Sequence, residues 1–240
     1  MKFVILIAAL LSVGSVQAAS FDLAADFPAL ADVTPANNPN GVWSYGGYSS
    51  FDDPDAFVLF TETTVRGPNV EGWRLPPGNL SATYFVAKNF SNTLFAPDPG
   101  TVVYPAGSVI VHPRQNGEQV VVRFTAPSSG KYEIDAEFAA GDTATLSDAQ
   151  IFVSGSQSSA TTLGDVTAGQ MQEFSDIFHL IGGDTVDFVV GWGSNNNFFS
   201  DSTLLQVTIS QVPLPAAAWL MLPALAGLGR IARQKPVRAL

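Results

Sequence analysis

The chain has 240 residues, a formal net charge of −10 and no cysteine. The missing thiol excludes disulfides, zinc–cysteine sites, thiol catalysis and a lipid-modified cysteine. All 21 acids but only six of the 11 basic residues lie between residues 19 and 211, so that stretch carries about −15 and offers no surface to nucleic acid.

Met1 and Lys2 precede an apolar run over residues 3–13, which Gly14 and Ser15 break. Val16-Gln17-Ala18 then forms a small-residue cleavage pattern. Residues 1–18 are predicted to be a secretory signal peptide, cut by signal peptidase between Ala18 and Ala19. The run is too short for a comfortable membrane span.

Residues 19–211 suit one sandwich or barrel domain. Residues 34–41 have turn chemistry. Trp43, Tyr45 and Tyr48 then alternate with small residues. Asp52, Asp53 and Asp55 cluster oxygen ligands before a strand over residues 57–61. They are weak candidates for a structural Ca²⁺, although Asp suits turns without metal. No other cofactor is expected. Trp73 lies between proline-rich turns, and residues 82–87 read as a strand.

The strand signal is strongest further on. Val120, Val122 and Phe124 share one face. Tyr132, Ile134, Ala136 and Phe138 alternate with Lys131, Glu133, Asp135 and Glu137, the period of a half-buried antiparallel strand. The short polar link predicts that residues 119–125 and 132–138 form a hairpin. Residues 148–153, 174–180, 184–190 and 203–209 follow the same alternation. No stretch of the body keeps a helical period over three turns. The fold class predicted is all-β, an antiparallel two-sheet β-sandwich, jelly-roll-like.

Sugar rings are gripped by aromatic faces, and their hydroxyls by amides and carboxylates. Trp43, Tyr45, Trp73 and Trp192 lie beside glycine-rich joints and are candidate glycan contacts. Trp192 leads because Gly191-Trp192-Gly193-Ser194-Asn195-Asn196-Asn197 places Asn195 and Asn196 amides beside it. Aromatic side chains also anchor loops onto cores, so the four remain open between ligand and packing. His112 and His179 are the two histidines, and neither accompanies a nucleophile-elbow serine. The acids include no recognisable glycosidase pair. The expectation is a non-enzyme.

The chain closes on Val212-Pro213-Leu214-Pro215, an uncharged run to Gly229, and then Arg230, Arg233, Lys235 and Arg238. Eighteen uncharged residues are close to the minimum for a single transmembrane helix. The basic end sets a cytoplasmic C-terminus and an external body. Residues 212–240 resemble a PEP-CTERM sorting signal of the Val-Pro-Leu-Pro form, with Leu214 where that family carries glutamate. The resemblance implies processing by an exosortase, then delivery from the inner membrane to the cell surface or extracellular matrix.

Residues 38–45, 109–132, 183–191 and 195–203 are similar to an exported sandwich domain that recurs in PEP-CTERM proteins and beside carbohydrate-active modules. That implies an exopolysaccharide-associated, carbohydrate-binding body. The alternatives are a polysaccharide-acting hydrolase and a purely structural or assembly module.

Overall fold

A computed structural model describes residues 18–75, 84–98 and 100–213. The chain forms strands β1 (Ser20–Asp22), β2 (Trp43–Tyr48), β3 (Phe57–Leu59), β4 (Glu62–Gly67), β5 (Val70–Arg74), β6 (Phe85–Asn89), β7 (Phe95–Asp98) and β8 (Val102–Tyr104). It continues with β9 (Val109–His112), β10 (Val120–Thr125), β11 (Gly130–Ala140), β12 (Leu146–Ser154), β13 (Ser159–Thr167), β14 (Met171–Leu180), β15 (Thr185–Gly191) and β16 (Thr203–Val212). One α-helical turn, α1 (Leu23–Asp26), is capped by the Asp22 carboxylate, which accepts from the Ala25 N–H.

The first large sheet runs β14-β11-β16-β9-β6-β5-β4, with β1 also on β16. The second runs β13-β12-β15-β10-β2-β3. Antiparallel registers join the strands in both. From β9 onward the chain winds between the sheets, giving β9-β16-β11-β14 in one and β10-β15-β12-β13 in the other. Eight strands wound in that order make a jelly roll.

Period two explains the packing. Tyr132, Ile134 and Phe138 of the first sheet meet Val122, Phe124, Phe188 and Ile151 of the second in one buried core. The side chains between them, Lys131, Glu133 and Asp135, are exposed.

The expected hairpin between residues 119–125 and 132–138 does not form. β10 pairs with β15 and β2, while β11 pairs with β14. The link instead turns a corner between sheets, because Ala126 N–H donates to Asp184 O at 2.8 Å and Gly183 N–H donates to Ala126 O at 2.9 Å. Those bonds fix Ala126 to the start of β15 and leave β11 to enter the opposite sheet.

Two coverings define what remains open. The β7–β8 hairpin lies over the outer face of the first sheet, where Tyr104 packs with Val70, Phe85, Ala87 and Ile110. Residues 49–56 cross the outer face of the second, next to Tyr48, Val121, Phe152 and Val189. Beneath that crossing Arg123 grips Asp187 through Nε and a second guanidinium nitrogen, both at 2.7 Å. Tyr48 O–H donates to the same carboxylate at 2.6 Å, and Arg123 also reaches Pro54 O. The outer face of β14, β11 and β16 keeps an exposed row that includes Glu173, Asp135 and Gln206.

Candidate functional site

Residues 192–202 leave β15 and re-enter the sandwich at β16. Their base is tightly fixed. Thr145 Oγ1 donates within reach of Ser200 O and Ser202 O, Gly141 N–H donates to Ser202 O at 2.7 Å, and the Ser147 and Thr203 hydroxyls meet at 2.6 Å. Gly193 sits at φ +59°, where an added Cβ would fall 2.0 Å from Leu146 O, so only glycine fits the turn.

The Trp192 indole lies half-buried against Gly117, whose own Cβ would stand 2.6 Å from the ring. Beyond it the tip, residues 194–197, is exposed. Ser194 is tied to Asp165 through both its N–H and its hydroxyl. Asn195 Oδ1 accepts from Asn197 N–H, and Asn197 Oδ1 from Phe199 N–H, and neither Nδ2 group has a partner among the described residues. Phe199 is 65% exposed, with its ring 4.3 Å from that of the buried Phe198. The loop thus carries a half-buried indole, an exposed phenyl ring and several amides on a stiff base. Asn195 and Asn196 stand at its exposed tip, and Asn196 adopts φ 51°.

Trp43, Tyr45 and Trp73 are not surface residues: each is 0% exposed. Tyr45 and Trp73 stack at 4.7 Å, and Phe27 packs against both. Trp43 Nε1–H donates to Asp26 Oδ2 at 3.1 Å, and Trp73 Nε1–H to Thr34 O at 2.8 Å. They hold the N-terminal segment against the core, which removes them as glycan contacts.

The Asp52 and Asp53 carboxylates are engaged within the turn. Asp52 exchanges hydrogen bonds with the Gln119 amide at 2.8 and 2.7 Å, and Asp53 accepts from Asp55 N–H at 3.1 Å. No group of three or more His, Asp or Glu among the described residues converges on a cation position. His112 is buried with Nδ1 2.9 Å from Pro113 O, and burial pulls its pKa down to about 4. His179 is exposed on β14.

Sequence reasoning did not single out Phe199, nor two grooves. One, of about 580 Å³, lies on the open outer face of the first sheet between Asp135, Glu137, Glu173, Gln206 and Thr208. Glu137 stands directly opposite Glu173 there. The alternation marked Glu137 as outward, but the partner opposite it depends on register. The other groove, of about 420 Å³, lies at the far end of the second sheet beside Phe152 and Pro54.

Val212 ends β16 and Pro213 follows it. Leu214, Pro215, the apolar run and the four basic residues after it lie outside the described residues, as do residues 1–17 of the leader. Among the described residues no helix is long and apolar enough to cross a membrane.

Fold and loop together define an all-β jelly-roll sandwich with an aromatic, amide-bearing loop at one end. No family model matches the chain, and no curated protein does. Among solved structures it is similar to a family 35 carbohydrate-binding module from Clostridium thermocellum, at 20% identity and a TM-score of 0.30, covering 48% of this chain and 85% of that one. The N-terminal cellulose-binding domain of Cellulomonas fimi β-1,4-glucanase C aligns at 16% identity and 0.29, covering 48% and 86%. A module of Cellvibrio mixtus lichenase 5A in complex with cellotriose aligns at 14% identity and 0.28, covering 44% and 79%.

Proposed function

We propose that this protein is an exported, non-enzymatic component of the cell surface or extracellular matrix whose sandwich binds carbohydrate through the Trp192 loop. The observation that carries the proposal is the loop itself. Trp192 and Phe199 present ring faces for the apolar side of a sugar, and Asn195 to Asn197 supply amide donors for its hydroxyls, on a base fixed before any ligand arrives. Prior ordering lowers the entropy cost of binding.

The export part of the proposal rests on the two end segments. β1 starts at Ser20, so a cut between Ala18 and Ala19 takes nothing from the sheet. β16 stops at Val212, where the Val212-Pro213-Leu214-Pro215 motif would meet an exosortase. The apolar segment after it would hold the intermediate in the inner membrane, with Arg230, Arg233, Lys235 and Arg238 on the cytoplasmic side. β16 is ten residues long, roughly 33 Å at the usual strand rise.

Two measurements test this. Intact mass of the protein taken from its host reads both processing events. Retention on exopolysaccharide from the same cells, wild type against Trp192→Ala, reads the site. Equal retention of the two proteins removes the loop as the binding site.

The hydrolase reading draws on one feature, the opposed Glu137 and Glu173 in the larger groove. Cross-strand Cβ atoms sit about 5 Å apart, so the two flexible side chains can bring their carboxyl groups to a glycosidase spacing. Release of reducing ends that Glu137→Gln abolishes would establish it.

A further inference from the structure

We propose that the smaller groove, between the β12–β13 hairpin and the turn at Pro54, is a second carbohydrate site that takes a neutral hexose unit. It extends the glycan-binding reading to a place chemically separate from the Trp192 loop. Gly191 pairs with Asp148 at one end of β12 and the groove begins at Phe152 towards the other, so roughly 15–20 Å of strand separates the two places.

Three observations support the assignment. The first is shape. The groove holds about 420 Å³ and is lined by Phe152 and Pro54 among others. Phe152 is 9% exposed and packs edge-on against Tyr48 at 6.0 Å. Such volume and apolar backing suit one or two pyranose rings.

The second is unused hydrogen-bonding capacity. Asp55 is exposed at the rim, and its carboxylate has no hydrogen bond among the described residues, since only its N–H is engaged. Ser158 and Ser159 are exposed on the facing wall, and their hydroxyls likewise have no partner among the described residues. Ser156, by contrast, turns away and donates to Asp184. One carboxylate that accepts from adjacent hydroxyls, opposite two hydroxyls that both donate and accept, matches the face of a hexose.

The third is charge. Residues 149–164 contain no charged side chain, in a body that carries about −15. A neutral wall costs no ion desolvation when a ligand closes over it. The lone carboxylate and the acidic surroundings repel polyuronates and sulfated chains. The strand that forms this wall, β13, is exposed along its first four residues despite belonging to a sheet edge. Its Ser, Ala and Thr side chains leave the groove open where larger residues would fill it.

The test uses the full chain in mild detergent and titration calorimetry. The probes are cellotetraose, laminaritetraose and β-1,4-galactotetraose, with an alginate oligomer as the anionic control. Ala160→Trp fills the groove from an exposed position. Asp55→Ala removes the acceptor and, for one hydrogen-bonded charge, weakens the groove about tenfold to a hundredfold. The expected result is two sites per chain for at least one neutral probe. Ala160→Trp leaves one, Trp192→Ala leaves the other, and alginate binds neither. A single site that Trp192→Ala abolishes and that Ala160→Trp and Asp55→Ala leave untouched overturns the groove while keeping the loop. Binding of alginate as tight as that of the neutral probes also overturns it. No binding of any probe by the wild type sinks the groove and the loop together.

Discussion

Asp201 gives the sharpest test of the energetics at the loop base. It is 0% exposed, its Oδ1 accepts only a 3.3 Å bond from Leu146 N–H, and its Oδ2 has no partner among the described residues. Burial, with the negative charges of Asp148, Asp142 and Asp165 added, pushes its pKa from 3.8 up to about 7. At 1.36 kcal/mol per pK unit, keeping it ionised in the folded protein at pH 8 costs about 4 kcal/mol. The folded state holds the proton more tightly than the unfolded chain. The contribution of Asp201 to stability is therefore fully present below about pH 4, is lost as pH rises to about 7, and is level above that. Asp201→Asn is nearly isosteric, keeps an acceptor for Leu146 N–H and cannot ionise. It should match the wild type near pH 4 and exceed it by up to about 4 kcal/mol at pH 8. Urea denaturation at pH 4.5, 6 and 8, followed by tryptophan fluorescence, measures the gap. A variant less stable than the wild type at pH 8 refutes the reasoning, because the carboxylate would then be stabilised by a counter-charge.

Three further outcomes are expected. Arg123→Ala strands the Asp187 carboxylate under residues 49–56 and should lower the unfolding free energy by about 3–5 kcal/mol; Arg123→Met with Asp187→Leu should recover most of it in urea titrations. Gly72→Ala places a Cβ 1.9 Å from Val86 O and 2.5 Å from Ala87 Cα, fixed backbone of the neighbouring strand. It should cost upwards of about 2 kcal/mol and remove amide-exchange protection where β5 meets β6. Gly117→Ala, at φ +85°, pushes on the Trp192 ring from below. Polysaccharide retention should fall several-fold, and the left-handed backbone should cost about 1–3 kcal/mol of unfolding free energy.

The alternation of buried and exposed residues made β10, β11, β15 and β16 legible, because each has one face in the core. β13 escaped for the converse reason. Ser159 to Thr162 are exposed on both faces, so no apolar period exists to read, and the strand forms because β12 pairs with it. The corner at Ala126 was hidden because a link of that length also fits a hairpin, and the deciding bonds go to residues 183 and 184. Trp43, Tyr45 and Trp73 were placed beside glycines, which suggested loops. In the fold those glycines are packing devices. Gly47 leaves room for the Tyr84 hydroxyl, 1.6 Å from where its Cβ would be, and Gly72 lets β5 close on β6. At Trp192 the same pattern does mark a loop, because Gly193 takes a left-handed turn there.

The distribution of local cost sorts the surface into scaffold and site. Buried ionic groups under residues 49–56 are fully paired: Asp187 accepts from Arg123 and Tyr48, and Arg123 also stacks 4.0 Å over Phe57. Stability alone accounts for that arrangement. At the loop end the Asp201 carboxylate is buried without a matching cation among the described residues, at the base of the segment that carries Trp192 and Phe199. On the open sheet two glutamates face each other, which lowers the stability of a strand pair. Sequences under selection for folding alone replace such groups easily, and amide substitutions would serve at both places. Stabilities of Asp201→Asn and Glu137→Gln, read beside their polysaccharide retention, therefore separate the two uses. A variant that gains stability and loses binding assigns its carboxylate to the ligand. One that gains stability and keeps binding leaves the Trp192 loop to act through its rings and amides.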